Sequence, residues 1–156
     1  MVEYRPARRE DLEAICALLT ACGLSPEGVA DWLDTFWVAL DDGALVGVAG
    51  LERYGDVTLL RSVATHPAYR GRGVAAALCR RLLALAQAQG VRTVYLLTQT
   101  AEGYFRRFFG FRAIPRAAAD PRLQASLQFA RTCPDSAVLM ALELEPLRPQ
   151  DHNTPT

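Results

Sequence analysis

The chain has 156 residues, 51% of them apolar, which is enough for one domain with a substantial buried core. Its 17 basic and 17 acidic residues balance, so charge gives no general attraction to nucleic acid or to an anionic membrane. No apolar run approaches the roughly 18 residues of a membrane span, and the N-terminus lacks the pattern of a signal peptide. Cys16, Cys22, Cys79 and Cys133 show no CxxC spacing. We therefore expect a cytoplasmic protein with reduced thiols, no metal site, and no nucleic-acid or membrane partner.

The first half of the chain is predicted to form one strand, two helices and three antiparallel strands. Apolar residues at helical spacing follow Pro6, and Gly23 ends that first helix. Ser25 and Pro26 fit an N-cap with Pro at the first helical position, which predicts a second helix to about Leu33. Hairpin turns at residues 41–43 and 54–56 separate the later strands. The predicted strands are residues 2–5, 36–40, 45–52 and 57–65.

The second half alternates helices and strands. A long helix is predicted from about Gly73 to Gln89, with Gly90 as its cap. Strands are expected at residues 93–98, 111–114 and 137–144, and helices at residues 101–108 and 121–131. From Pro146 the chain is proline-rich and polar, which predicts a mobile tail. We thus expect one domain over residues 1–145 and a flexible tail over residues 146–156.

The most informative segment is the junction between the strand at residues 57–65 and the long helix. The first N–H groups of a helix have no internal partner, and the helix dipole makes this end partly positive. Gly71 and Gly73 carry no side chain that would keep a phosphate from the main chain, while Arg70 and Arg72 add forked cationic donors. No Gly-Lys-Ser/Thr follows and a third glycine is missing, so neither ATP nor NAD is the expected ligand. The junction predicts a pyrophosphate cradle.

This segment resembles the Arg/Gln-x-x-Gly-x-Gly/Ala motif of the GNAT superfamily of N-acetyltransferases, and nearly the whole chain fits that family. The resemblance implies a single α+β or α/β domain, with a mixed, mostly antiparallel sheet flanked by helices around a V-shaped cleft. It also implies acetyl-CoA as cosubstrate and a bulged strand whose freed backbone groups hold pantetheine and polarise the acetyl carbonyl. The implied cofactor-binding residues are Val63, Ala64 and Thr65 in the strand, and Arg70, Gly71, Arg72, Gly73, Val74 and Ala75 in the loop.

Direct transfer to an amine requires a neutral amine, donors for the oxyanion and an exit for the thiolate, without a covalent enzyme intermediate. Family members often carry a Tyr four residues before the Gly-Phe that closes the later helix, but that count from Gly110 gives Arg106. If the extra residue of this helix is Phe108 or Phe109, Phe105 takes the Tyr position and Tyr104 points elsewhere. Tyr104 is still the candidate acid. The thiolate leaving unprotonated stays open as an alternative.

Three side chains are candidates for the base. Glu52 lies near the end of a predicted strand and is the first choice, ahead of Glu102 and of His66. Glu102 stands at a helix start, where the dipole alone explains a carboxylate.

Arg61 stands in an otherwise apolar strand, so its side chain faces either solvent or the cleft. In the cleft its forked guanidinium would suit the carboxylate or another oxyanion of an acceptor. The segments at residues 59–64, 97–105 and 128–140 resemble the arsenic-resistance N-acetyltransferases. The helix entry at residues 98–102 also resembles N-acetylglutamate synthases. Both resemblances imply a small acceptor with an α-amino group and an anion, in the first case bearing arsenic or phosphorus.

Two other functions stay open on the sequence. The departure at the Tyr position is compatible with a non-catalytic acetyl-CoA sensor, and an empty cradle would leave a structural or partner-binding domain. Cys133, beside Pro134, fits a plain loop cysteine better than an arsenic ligand. Edge strands near the C-terminus often pair in this fold, which leaves a homodimer open.

Overall fold

The computed structural model of the chain describes residues 1–129 and 136–147. Its strands are β1 (Val2–Pro6), β2 (Phe36–Asp41), β3 (Ala44–Tyr54), β4 (Val57–Thr65), β5 (Thr93–Thr98), β6 (Arg112–Ile114) and β7 (Val138–Glu143). Its α-helices are α1 (Leu12–Ala21), α2 (Val74–Ala88) and α3 (Glu102–Phe109). Short 3-10 helices occupy Arg9–Asp11, Ala30–Thr35, Pro67–Tyr69, Arg116–Ala118 and Pro121–Ala125. The predicted mobile tail falls, from residue 148 onward, outside the described residues.

The seven strands form one mixed sheet in the order β1-β2-β3-β4-β5-β7-β6. Every neighbouring pair is antiparallel except β4 and β5, which are parallel. The β4–β5 pairing covers only Val57 to Leu59 and Thr93 to Tyr95. Beyond Leu59 the two strands separate, and β5 continues alone against β7 to Thr98. The predicted fold class is confirmed, and the opening between β4 and β5 is the cleft of the molecule.

Helices cover both faces of the sheet, and the alternation of side chains along the strands decides which helix each residue meets. Val38 and Val48 pack with α1, whereas their neighbours Ala39 and Ala49 pack with α2. Gly47 allows α2 to approach closely, because a Cβ there would lie 2.6 Å from Val74. The N-terminus of α2 is therefore held directly against the sheet.

Strand β4 contains a bulge at Ser62. Val48 of β3 pairs with Ala64 and Gly50 pairs with Arg61, so two residues of β4 face one residue of β3. Ser62 takes a positive φ of 60°, which is rare for a residue with a side chain. The strand before the cradle thus carries the predicted bulge, and the extra residue directly precedes Val63.

Two predicted helices differ from the structure. The expected helix from Ser25 to Leu33 is a turn followed by the 3-10 helix Ala30–Thr35. Gly28 has a φ of +82°, which a right-handed helix cannot accommodate, and Arg61 binds the carbonyls of Ser25 and Glu27 that helical N–H groups would otherwise use.

The expected helix at residues 121–131 begins as predicted, because the Asp120 side chain accepts a hydrogen bond from the Arg122 N–H. The 3-10 helix ends at Ala125, since Ser126 is extended with ψ at 126°, and residues 127–129 are again helical. Residues 130 and 131 of that prediction, and Cys133 with its expected loop role, lie outside the described residues.

Candidate active site

The loop before α2 presents bare main chain. Gly71 and Gly73 both have a φ of +79°, and a Cβ at either position would meet nothing within 4 Å. Gly73 is the N-cap residue of α2, which starts at Val74. These glycines therefore adopt a left-handed backbone conformation without strain, and they leave open space above the helix N-terminus. Such an arrangement fits a diphosphate.

The arginines beside the glycines are held by neighbouring groups. Arg72 lies over the Tyr69 ring, 5.0 Å from its centroid, and the Tyr69 hydroxyl donates to Asp41. This hydrogen bond lowers the pKa of Asp41 and raises the pKa of Tyr69. Arg70 donates through Nε to the Thr65 carbonyl at 3.3 Å, which directs it back along β4 toward the cleft.

Two adjoining cavities follow the cleft from the cradle into the protein. The outer one, of about 550 Å³, lies beside the cradle and is lined by Gly71, Gly73 and the first turns of α2. The inner one, of about 510 Å³, lies between the separating ends of β4 and β5. Thr65, Arg70, Ala75 and Tyr104 line both cavities, so the two form one path. The path runs from the bare main chain of the cradle to the bulged end of β4.

The predicted strand residues Val63, Ala64 and Thr65 all line the inner cavity. His66 donates its backbone N–H to Val46 on β3. Because successive backbone N–H groups of a strand point to opposite edges, those of Thr65 and Val63 are directed toward the cleft. With β5 separated at this level, the bulged end of β4 supplies free donors at the wall of the cavity.

Tyr104 lies on α3 at the junction of the two cavities. Its ring packs against Phe105 and Phe108 with centroid distances of 5.3 and 5.0 Å. Burial raises the pKa of its phenol, which stays protonated at neutral pH. Phe105 is buried and packs on Phe111, while it also reaches the wall of the inner cavity. The extra residue of α3 therefore does not turn Tyr104 away from the cleft.

Glu52 and Arg61 are brought together in a buried ion pair. Arg61 Nη1 lies 2.6 Å from Glu52 Oε2, and each side chain is 1% exposed. Glu52 Oε1 accepts a hydrogen bond from the Tyr54 hydroxyl at 2.7 Å, and Glu52 does not line either cavity. Arg61 lines the inner cavity from beneath.

The other candidate bases lie elsewhere. Glu102 pairs with Arg106 at the surface, 2.5 Å away. His66 is exposed, and its Nδ1 accepts from the Ala68 N–H.

Several residues of the site were missed by sequence reasoning. They contribute to the site or to its support, and they are Ser62 at the bulge, Tyr54 beside Glu52, and the polar residues 98–100 where β5 ends. The position of residues 98–100 just after a parallel strand was a usable signal, because cleft residues gather at the carboxyl ends of such strands. The bulge residue left no local signal, since Ser is common in many contexts.

Among the described residues, we found no helix long and apolar enough to cross a bilayer.

Comparison with known proteins identifies solved structures that share this fold. A search of curated proteins by sequence found no match. The structure is similar to Rv2747 from Mycobacterium tuberculosis, solved in complex with CoA and NLQ, with a TM-score of 0.74 and 24% identity over 92% of this chain and 99% of that one. It is also similar to the ribosomal-protein-S18-alanine N-acetyltransferase of Escherichia coli, with a TM-score of 0.70 and 17% identity over 96% and 97% of the two chains.

A third similar structure is N-acetylglutamate synthase from Neisseria gonorrhoeae, complexed with coenzyme A and N-acetyl-glutamate. Its TM-score is 0.78 at 19% identity, and the match covers 93% of this chain but 35% of the synthase. At these identities the three structures establish a shared fold.

The family model described as "Acetyltransferase (GNAT) family" matches residues 4–111, a range that includes β4, the cradle, α2 and Tyr104. Because this match covers more than half of the chain, the protein belongs to the GNAT family of acetyltransferases, which use acetyl-CoA as cosubstrate.

Proposed function

We propose that this protein is an acetyl-CoA-dependent N-acetyltransferase that acetylates the primary amine of a small, amino-acid-like acceptor in a ternary complex. The observation that carries the proposal is the continuous path from the glycine cradle to the bulged end of β4. A diphosphate site and free strand donors lie on one path, as transfer from a thioester of CoA requires.

The chain supplies the binding groups for this cosubstrate. Arg70, Arg72 and the N–H groups near Gly71 and Gly73 would hold the diphosphate, with Val74 and Ala75 at the floor of the groove. Acetyl-CoA, when bound, supplies the acetyl group as a thioester. The backbone N–H groups of Val63 and Thr65 would donate to the acetyl oxygen and to the charge that develops on it, the role of an oxyanion hole.

Two proton-transfer roles complete the proposal. Tyr104, whose side chain lies at the junction of the cavities, would donate its phenol proton to the departing thiolate and regain a proton from solvent. The base role predicted for Glu52 is not supported by its contacts, because both carboxylate oxygens accept hydrogen bonds away from the cavities. Water in the cleft then accepts the amine proton.

The acceptor class follows from the charge of the inner cavity. Its described lining contains no Asp or Glu, and Glu52 already matches the charge of Arg61, so polycationic amines such as polyamines or aminoglycosides find no countercharge there. An acceptor that carries an anion beside its amine brings its own countercharge and therefore fits this wall. The N-acetyl-glutamate bound by the Neisseria synthase is the N-acetylated form of a molecule of that kind. The resemblance to arsenic-resistance enzymes adds arsenic- and phosphorus-bearing amino acids to the class.

The test is a spectrophotometric screen for release of free CoA from acetyl-CoA. The panel contains amino acids, their arsenic- and phosphorus-bearing analogues, polyamines and aminoglycosides. We expect turnover with anionic amino acids and an N-acetylated product by mass spectrometry. Turnover confined to polycations contradicts the acceptor class. Tight acetyl-CoA binding without any turnover favours the sensor function instead.

A further inference from the structure

The ion pair between Glu52 and Arg61 lies beneath the inner cavity, and it is the most deeply buried charged cluster among the described residues. Two charges at 1% exposure are costly to remove from water unless hydrogen bonds satisfy them. The other hydrogen bonds of Glu52 and Arg61 show which parts of the protein the pair holds in place.

Arg61 directs its remaining donors to the protein. Nε donates to the Ser62 hydroxyl at 2.8 Å, and Nη2 donates to the Glu27 carbonyl at 2.8 Å and to the Ser25 carbonyl at 3.4 Å. A Cβ on Gly28 would lie 3.1 Å from Nη1, so the segment is packed directly on the guanidinium. One side chain thus holds the bulge of β4 and residues 25–28, which approach the inner cavity from the α1 side.

Glu52 extends the same cluster in the opposite direction. Its Oε1 accepts from the Tyr54 hydroxyl, and Tyr54 packs against the apolar cluster that contains Leu123 and Phe129. Ser126 is 1% exposed, and its hydroxyl accepts from the Phe129 N–H at 3.2 Å. Between them lies Gln128, which lines the inner cavity. The cluster therefore reaches the second segment that borders the acceptor side of the cleft.

We propose that Glu52 and Arg61 are positioning residues that fix both walls of the acceptor pocket and the bulge of β4. The charge of Arg61 is matched by Glu52 and does not serve as the direct anchor of an acceptor anion. This inference rests on the proposed function only in naming the cavity an acceptor pocket. It replaces the anchor role that the sequence suggests for Arg61 with an indirect one.

The first test measures hydrogen exchange and needs no activity. Arg61→Lys keeps a cation beside Glu52 but loses the fork that binds two carbonyls. Arg53→Lys is the matched control, because Arg53 also donates to main-chain carbonyls, those of Gly55 and Gln89, at the surface away from the cavities. We expect exchange at the protected amides of Val29, Asp31 and Trp32 to rise by about tenfold or more in Arg61→Lys.

Exchange in α2 should stay unchanged in both variants. An unchanged rate at residues 29–32 overturns the proposal, and so does an equal rise throughout the chain, because that would reflect general loss of stability.

The second test separates positioning from direct anchoring by kinetics. An amino acid acceptor is compared with its carboxamide in the wild type and in Glu52→Gln. If the pair positions the walls, acceptor KM rises by a similar factor, about tenfold, for both acceptors, while the Kd of acetyl-CoA stays within about twofold. If Arg61 binds the acceptor carboxylate, Glu52→Gln frees its charge and lowers KM for the acid alone, which overturns the proposal.

Arg61→Lys is carried through the same comparison, so that poor folding of Glu52→Gln does not decide the question. A wild-type protein that acetylates none of the acceptors contradicts the proposed function, and the exchange experiment then decides the positioning role by itself.

Discussion

At the scale of single residues, the cradle combines a conformational requirement with a steric one. Gly71 and Gly73 occupy the left-handed region, where a residue with a Cβ costs roughly 1–2 kcal/mol. The same missing Cβ also leaves the loop amides open to a ligand. A substitution changes both properties. The two effects must therefore be separated by comparison with a glycine that has the left-handed conformation but lies away from the cradle.

Gly90 is that comparison, because it has a φ of +82°, open space around it and a place at the far end of α2. We expect Gly71→Ala and Gly90→Ala to lose similar unfolding free energy, about 1–2 kcal/mol, in urea titrations. Gly71→Ala alone should weaken acetyl-CoA binding, by about tenfold or more in isothermal titration calorimetry. Equal affinities in the two variants would contradict the cradle.

Tyr104 offers a second prediction at this scale. Tyr104→Phe removes the phenol but keeps the ring contacts with Phe105 and Phe108. If the phenol protonates the thiolate, kcat for acetyl transfer should fall by about a hundredfold while the KM for acetyl-CoA stays unchanged. Tyr4→Phe, on an edge strand, is the control and should leave both constants unaltered.

The pH profile adds a signed expectation. Burial raises the pKa of Tyr104 above its ordinary value of 10.0, so the wild-type rate should decline only as the pH rises through that higher value. Tyr104→Phe should lack this alkaline limb. If Tyr104→Phe keeps the decline of the rate at alkaline pH, that decline is caused by another group.

At the scale of elements, the junction between β1 and α1 depends on a nearly buried ion pair. Arg5 donates two hydrogen bonds to Asp11, at 2.7 and 3.1 Å, and the Arg8 N–H donates to the same carboxylate. The hydrogen bond from Arg5 is the main cause that lowers the pKa of Asp11 below its ordinary 3.8. This carboxylate fastens the edge strand to the helix that covers one face of the sheet.

Asp11→Asn should therefore destabilise the fold at neutral pH, by about 1–3 kcal/mol in urea titrations. A carboxylate with a lowered pKa contributes stability above its unfolded pKa, and the contribution is lost as the pH falls through the folded value. The difference between wild type and variant should accordingly shrink below pH 3.8. Glu10→Gln, at an exposed neighbour, should show no such difference.

The sequence predicted the elements that depend on local pattern and missed those that depend on distant contacts. The strands, α1, α2 and the glycine loop follow from periodicity and from turn residues near in the chain. The helix expected after Ser25 fails because Arg61, 36 residues away, binds the Ser25 carbonyl. The base role of Glu52 lacks support because Arg61 and Tyr54 occupy its oxygens, and the strand pattern does not show that these three side chains meet.

At the scale of the whole molecule, ligand binding should be visible as added stability. Acetyl-CoA at about a hundred times its Kd adds roughly 2.7 kcal/mol, which raises the Tm of a chain this size by roughly 5–10 °C. S-acetyl-pantetheine lacks the diphosphate and should give a much smaller shift at the same concentration. Equal shifts from the two thioesters, in differential scanning fluorimetry, would argue against the cradle as the main source of affinity.

The bulge in β4 divides the strand into two halves of opposite phase. Before Ser62, even-numbered Leu60 packs on the α2 face; after it, odd-numbered Val63 does so, and Ala64 turns to α1. If Ser62 took regular strand geometry instead, every residue from Val63 onward would rotate to the opposite side of the sheet. The bulge therefore decides which face of the strand end lines the cleft, whereas a hairpin turn only joins two strands.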